Sequence, residues 1–244
     1  MSRLVIAGTM AAAVMAASLA SAQQGGGRNY DVTSFDEVAA AGPMHVLVTV
    51  GPQNSVRAEG PRATLDKLEV VVEHGSLQIR PKHDEDWRDN WHDLQPATFY
   101  VSLPRISKAA MAGSGDMQID RVKGGDFAGA VAGSGGLNIA TLAVDDASFS
   151  IAGSGNLTAQ GTARRSKVSI AGSGNIRARK VASDSASISI VGSGDAALTV
   201  RDVAKVTIMG SGDVDIAGSA RCTVTRMGSG HVRCNGRIED GEEG

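Results

Sequence analysis

Four groups of residues in this 244-residue chain have types and spacings that could do chemistry. Asp195 and Asp213 each directly follow a Gly-Ser-Gly triplet. On adjacent strands, two such carboxylates would lie about 5 Å apart. A pair that close can hold a cation, or can raise one pKa for acid catalysis of the kind glycosidases use. The same residues could instead be two Asx turns with separated, hydrated side chains. The second group is the stretch HDEDWRDNWHD at 83–93, with both tryptophans, two histidines and five acids. The spacing of His83, His92 and the acids matches no standard metal-ligand pattern. Trp87 and Trp91 stand four residues apart. They could stack on a sugar ring, or fold back as an apolar plug over an open end. The third group is basic: Arg164, Arg165, Lys167, Arg177, Arg179 and Lys180. Arg177 and Arg179 fall at outward positions. They offer a patch to an anionic glycan or lipid headgroup, or form an ordinary solvated face. The fourth is the pair Cys222 and Cys234. In an exported protein the default for two cysteines is a disulfide; the alternative is two buried free thiols.

The Gly-Ser-Gly triplet must itself be tested as a binding device. It begins at Gly113, Gly133, Gly153, Gly172, Gly192, Gly210 and Gly228, with spacings of 20, 20, 19, 20, 18 and 18 residues. A phosphate cradle would need the glycines to lead into a helix N-terminus. A nucleophile elbow needs Gly-x-Ser-x-Gly, yet Ala132 stands two before Ser134, and no His or Asp partner recurs. Calcium-binding solenoids carry a nonapeptide with a different placement of its acid. None of these fits. A period this even marks a repeat architecture, and the triplet reads as its corner.

Aligned on the first glycine, the copies form columns. Two residues before it stand Met111, Val131, Ile151, Ile170, Ile190, Ile208 and Arg226. Four after it stand Met117, Leu137, Leu157, Ile176, Ala196, Val214 and Val232. Polar or small residues such as Ser150, Ser169, Thr158 and Arg177 alternate with them. This period of two predicts strands with one buried face on both sides of each corner. Hairpins in a meander are one arrangement. A coil stacked on itself explains more, because equal residues in a column form ladders that fill a narrow core without large aromatics. Only eight residues are aromatic, against 31 glycines. The predicted fold is an all-β solenoid of about seven 18–20-residue coils.

These residues resemble a bacterial family described as putative auto-transporter adhesin, head GIN domain. The likeness runs through FDEVAAAGPMHVLVTVG (35–51), LEVVVEHGSLQI (68–79) and FYVSLPRI (99–106) into the first AGSGD. It covers roughly residues 30–235. It implies a right-handed β-solenoid on an exported protein, and it brings no catalytic residues with it.

The ends complete the reading. Residues 1–22 carry Arg3, an uncharged Ala-rich stretch and Ala20-Ser21-Ala22, the pattern of a secretory signal peptide cleaved before Gln23. A retained membrane anchor is the alternative, but the stretch is short for a span. No later segment is apolar enough to cross a bilayer. Loss of Arg3 takes the formal charge from −2 to −3, which argues against nucleic-acid binding. The expected organisation is a flexible segment at 23–29, N-terminal strands and a cap at 30–108, the repetitive solenoid at 109–235 and an acidic tail at 236–244, frayed from Glu239 on. Arg226 interrupts the Ile column, as suits a terminal coil. Cys222 and Cys234 flank that coil's corner and would tie it.

The expectation is a non-enzymatic exported protein, periplasmic, surface-bound or secreted. It would present sheet surfaces to envelope or cell-surface glycans or proteins. A polysaccharide-active enzyme and a cation-stabilised structural module remain the alternatives. No catalytic, metal or cofactor residue is assigned. Trp87, Trp91, Arg177, Arg179, Asp195 and Asp213 are the candidate ligand surface.

Overall fold

A computed structural model of the chain describes residues 25–82, 94–239 and 242–243. The signal-peptide reading and Trp87, Trp91, His83 and His92 lie outside the described residues.

The all-β solenoid expected from the columns is the fold the chain adopts. The strands Gly136–Gly153, Asn156–Gly172, Asn175–Gly192 and Asp195–Gly210 stack in parallel, each one coil of the repeat. Registration is residue for residue through the corner. Ile151 pairs with Ile170, Ile170 with Ile190 and Ile190 with Ile208, while Leu157 pairs with Ile176. All of these side chains are buried. The ladder thus removes apolar surface from water continuously along the axis, at about 25 cal/mol per Å². Inside lie the buried Ser166 and Ser183 hydroxyls, which meet at 2.7 Å. One donates to the other, so neither oxygen is left without a partner.

Stacking also explains the triplet. The N–H groups of Ser173 and Gly174 both donate to the carbonyl of Gly153 one coil earlier, at 2.9 and 3.0 Å. A Cβ on Gly174 would stand 2.5 Å from the Gly155 oxygen and 2.6 Å from Ile151 Cγ2. The second glycine is therefore needed for the close approach of one coil to the next. The serine between the glycines is exposed in all seven copies.

The N-terminal third supplies both a beginning to the ladder and a layer over it. Glu37–Ala41 and His45–Val50 flank Gly42 and pair in parallel with Lys108–Gly113 and Asp116–Ile119. They form a coil without the triplet. On its far side lie Ser76–Pro81 and Thr98–Leu103, again parallel. Space and sequence therefore disagree here: the outermost coil comes from residues 76–103, later in the chain than its neighbour. Antiparallel strands then close the edge. Leu68–Glu73 covers Ser76–Pro81, Ser55–Pro61 covers Thr98–Leu103, and Gly25–Tyr30 covers Ser55–Pro61. The antiparallel layer occupies N–H and C=O groups that a bare parallel coil would expose.

The other end is closed in a like way. Asn235 and Gly236 both have positive φ, 52° and 82°. They turn the chain so that Arg237–Glu239 runs antiparallel to Val232–Cys234. Asn-Gly favours such a two-residue hairpin because both positions tolerate φ > 0. Glu242–Glu243 then pairs with Arg221–Met227. The open edge of the last coil supplies hydrogen-bonding partners, so the tail adds strands to it.

Candidate functional site

The outward columns just past the corners build a groove near the C-terminal end. At the first outward position stand Asn175, Asp195, Asp213 and His231. Two residues on stand Arg177, Ala197, Asp215 and Arg233, in ladder register with one another. Ala197 is short between two long neighbours, which leaves a depression of about 540 Å³. Inward Ala196, where the flanking coils place Ile176 and Val214, also lines it. The hairpin after Asn235 contributes Ile238, 60% exposed, as an apolar wall.

The polar groups of this groove are held by bonds between coils. Asp195 Oδ1 accepts the backbone N–H of Asp213 at 3.0 Å. Asp213 Oδ1 accepts the backbone N–H of His231 at 2.8 Å, with His231 Nδ1 at 3.4 Å from the same oxygen. The two acids are therefore more than hydrated turn residues. Each spends one oxygen on the backbone of the next coil. On the N-terminal side, Asn156 Oδ1 accepts from Arg177 Nη1 at 2.9 Å and from Asn175 Nδ2 at 3.3 Å. Arg179 reaches two coils along to pair with Asp215, a residue that lines the groove. The ion pair spans the coil carrying Ala197.

Four of the candidate residues thus meet in one place: Arg177, Asp195 and Asp213 line the groove, and Arg179 secures one of its walls. Sequence reasoning had treated the acids and the arginines separately. It missed Ala197, Asp215, His231, Arg233 and Ile238. Extending the column alignment to the second outward position finds Ala197, Asp215 and Arg233; His231 already stands in the column of Asp195 and Asp213, and the place of Ile238 depends on the hairpin. The six-residue basic cluster is divided among faces and partners. Arg164 pairs with Asp145 at 3.0 Å and Arg165 with Asp146. The Arg165 guanidinium holds the Asp146 carboxyl below the usual carboxylate range.

Cys222 and Cys234 are joined by a disulfide with Cα atoms 6.4 Å apart. It fastens Val232–Cys234, the strand carrying Arg233, to Arg221–Met227. Among the described residues, no three His, Cys, Asp or Glu side chains converge as cation ligands. A second depression, about 630 Å³, lies before the corners over Phe127, Ala147 and Ala186. Its floor is apolar, and two of its charged rim groups, Asp146 and Arg165, neutralise each other. Arg165 and Lys167 of the basic group line it; Arg177, Arg179, Asp195 and Asp213 do not.

A stacked parallel solenoid whose corners are spent on packing and whose polar groups face outward is a surface-presenting architecture. The family described as "putative auto-transporter adhesin, head GIN domain" matches residues 34–220, and the chain belongs to that family. Solved structures share the fold. A putative adhesin from Bacteroides fragilis NCTC 9343 superposes with a TM-score of 0.78 at 19% identity, covering 86% of this chain and 97% of that one. A putative lipid binding protein from Parabacteroides distasonis ATCC 8503 gives 0.68 at 22%, over 86% and 96%. A putative adhesin from Parabacteroides merdae ATCC 43184 gives 0.68 at 17%, over 86% and 95%. No curated protein matches the sequence. Family and fold together fit an adhesin-like module.

Proposed function

We propose that the chain is an exported, non-enzymatic binding module that holds a cell-surface or envelope glycan against its outer sheet faces. The observation that carries this reading is the groove around Ala197. Asp195, Asp213, Asp215 and Arg177 are fixed by bonds between coils, and they stand beside an apolar wall. Rigid polar groups lose little freedom when a ligand engages them. The mature protein would begin at Gln23, with the cap at 30–108 and the repetitive solenoid at 109–235. Membership of an adhesin family supports a surface or extracellular location. Trp87 and Trp91 belong to the proposal as a second contact or as an apolar plug.

The test uses purified residues 23–244 against a panel of envelope and matrix polysaccharides. Bound and cleaved fractions are read in the same samples. Saturable binding with no new chain ends is expected. New reducing or unsaturated ends would overturn the non-enzymatic reading and direct attention to Asp195 and Asp213.

A further inference from the structure

We infer that the sheet face before the corners is the contact surface of a homodimer, on which a second copy of this chain stacks face to face with its coils in the opposite order. This face is distinct from the groove around Ala197, which lies past the corners and stays open in such a dimer.

The residues directly before the corner glycines form one outward column. Its N-terminal end is Ala41, Ala112, Ala132 and Ala152, paired in register from coil to coil. Ala171 continues it into Val191, Met209 and Met227. These last three are 50%, 43% and 57% exposed. The column two residues earlier changes from Ala39 through Ser150 to Thr207 and Thr225. From Ala39 to Met227 neither column carries a charge, although 20% of the chain's residues do. A run of large apolar side chains on an uncharged sheet face marks a surface that a partner covers.

Size selects a second copy as that partner. The alanine end is a depression of about 300 Å³, bounded by Gln78 and Arg80 of the outermost coil. The methionine end stands raised. A twofold axis parallel to the strands opposes like columns and reverses the order of coils, so the large side chains of each copy enter the depression of the other. An isologous interface requires this kind of self-complementarity. Stacking with the coils in the same order would set Met209 against Met209 and leave the alanine ends apart. In the reversed order, Met209 over the partner's Ala41 sets Val191 over the partner's Ala112. Only alanine and serine meet between these contacts, so the sheets approach closely at the axis. Charge agrees with that register. The next outward column carries Lys205 near one end and Glu37 at the other. Lys205 then lies opposite the partner's Glu37, a residue whose own chain brings Lys108 to 3.7 Å. A face about eight coils long and three outward columns wide covers roughly 750 Å² per copy, from strand and residue spacings. A standard interface buries about 800 Å² per partner.

Sedimentation equilibrium of residues 23–244 tests the inference. A dimer is expected at about 10 μM and above. Met209→Glu places a charge in the interface, and Ala112→Leu fills the depression from an outward position. Each is expected to weaken the dimer at least about tenfold with the β-sheet circular dichroism unchanged. Val203→Glu alters another exposed apolar residue, on the column of Arg165 and Ser185 away from this face, and is expected to leave association as it was. Lys205→Glu is expected to weaken the dimer severalfold, and adding Glu37→Lys to restore it. A chain that remains monomeric at about 100 μM would overturn the inference. So would a dimer that Met209→Glu and Ala112→Leu leave intact, or one that Val203→Glu weakens equally. Weakening by Met209→Glu but not by Ala112→Leu would overturn the reversed order of coils. Should Met209→Glu fail to fold, Ala112→Leu and the Lys205–Glu37 exchange decide the same question. None of these outcomes bears on the glycan reading, which the polysaccharide panel tests separately.

Discussion

At Gly172 the backbone has φ of +127°, and a Cβ there would fall on the carbonyl oxygen of Gly153. Both facts oppose a side chain. Gly172→Ala is therefore expected to cost at least about 2 kcal/mol, from the strained dihedral and the forced separation of two coils. Chemical denaturation of the purified variant would measure it; a loss of less than about 0.5 kcal/mol would show that the coils can move apart freely. Charge makes a second prediction at this scale. The carboxyl of Asp146 is held low by Arg165. A group whose folded pKa is depressed contributes stability above its unfolded pKa, and that contribution is lost as pH falls through the folded value. The Asp146 contribution should thus be complete above the usual carboxylate pKa of about 4 and fade below it. Asp146→Asn should flatten the acid limb of the stability–pH curve there and leave its shape near neutrality unchanged. The group is exposed, so the effect is small and sensitive to salt.

The disulfide governs the last element. It closes a loop between residues 12 apart in sequence, worth about 3 kcal/mol in the chain-entropy account. Because a solenoid is stabilised coil by coil, reduction should loosen the end and spare the middle. Hydrogen exchange is expected to accelerate over 221–239 while the Asn156–Gly172 strand stays protected. Uniform acceleration along the chain would contradict local coupling. The same coil-by-coil construction explains what could be read from the sequence. Seven triplets gave the corners, and the columns beside them gave the buried ladder, because each coil repeats the same steric demand. The coil at 37–50 was hard to see because Pro43 and Met44 stand where later coils have Ser and Gly. The outermost coil at 76–103 was harder still, since it pairs out of sequence order and parallel pairing over so few residues leaves no local mark. The C-terminal hairpin did have a signal, Asn235-Gly236, but the acidic residues beyond it resemble a tail. In the groove, Arg177, Asp195 and Asp213 were legible and the cavity was not. A depression is made by a small residue, Ala197, whose importance lies only in its neighbours.

Over the whole molecule, stability is a sum of coil interfaces, so the position of a defect matters as much as its size. Ile170 is buried in the middle of the ladder. Ile170→Ala should cost about 3 kcal/mol, as large-to-small changes in packed cores do. Val224→Ala, in the half-buried last coil, should cost about 1 kcal/mol. Thermal unfolding of the two variants compares them directly; equal losses would mean that the ends are packed as tightly as the centre. The functional claim is also a claim about the whole: the repeated corners build the solenoid, and binding belongs to the faces between them. It is tested most directly by replacing all seven exposed corner serines, Ser114, Ser134, Ser154, Ser173, Ser193, Ser211 and Ser229, with alanine. The binding isotherm is then measured on the polysaccharide that the unaltered protein binds best. The account predicts an unchanged isotherm on a folded protein. Loss of binding with the β-sheet circular dichroism intact would contradict it, and would return the Gly-Ser-Gly triplet from a corner to a grip.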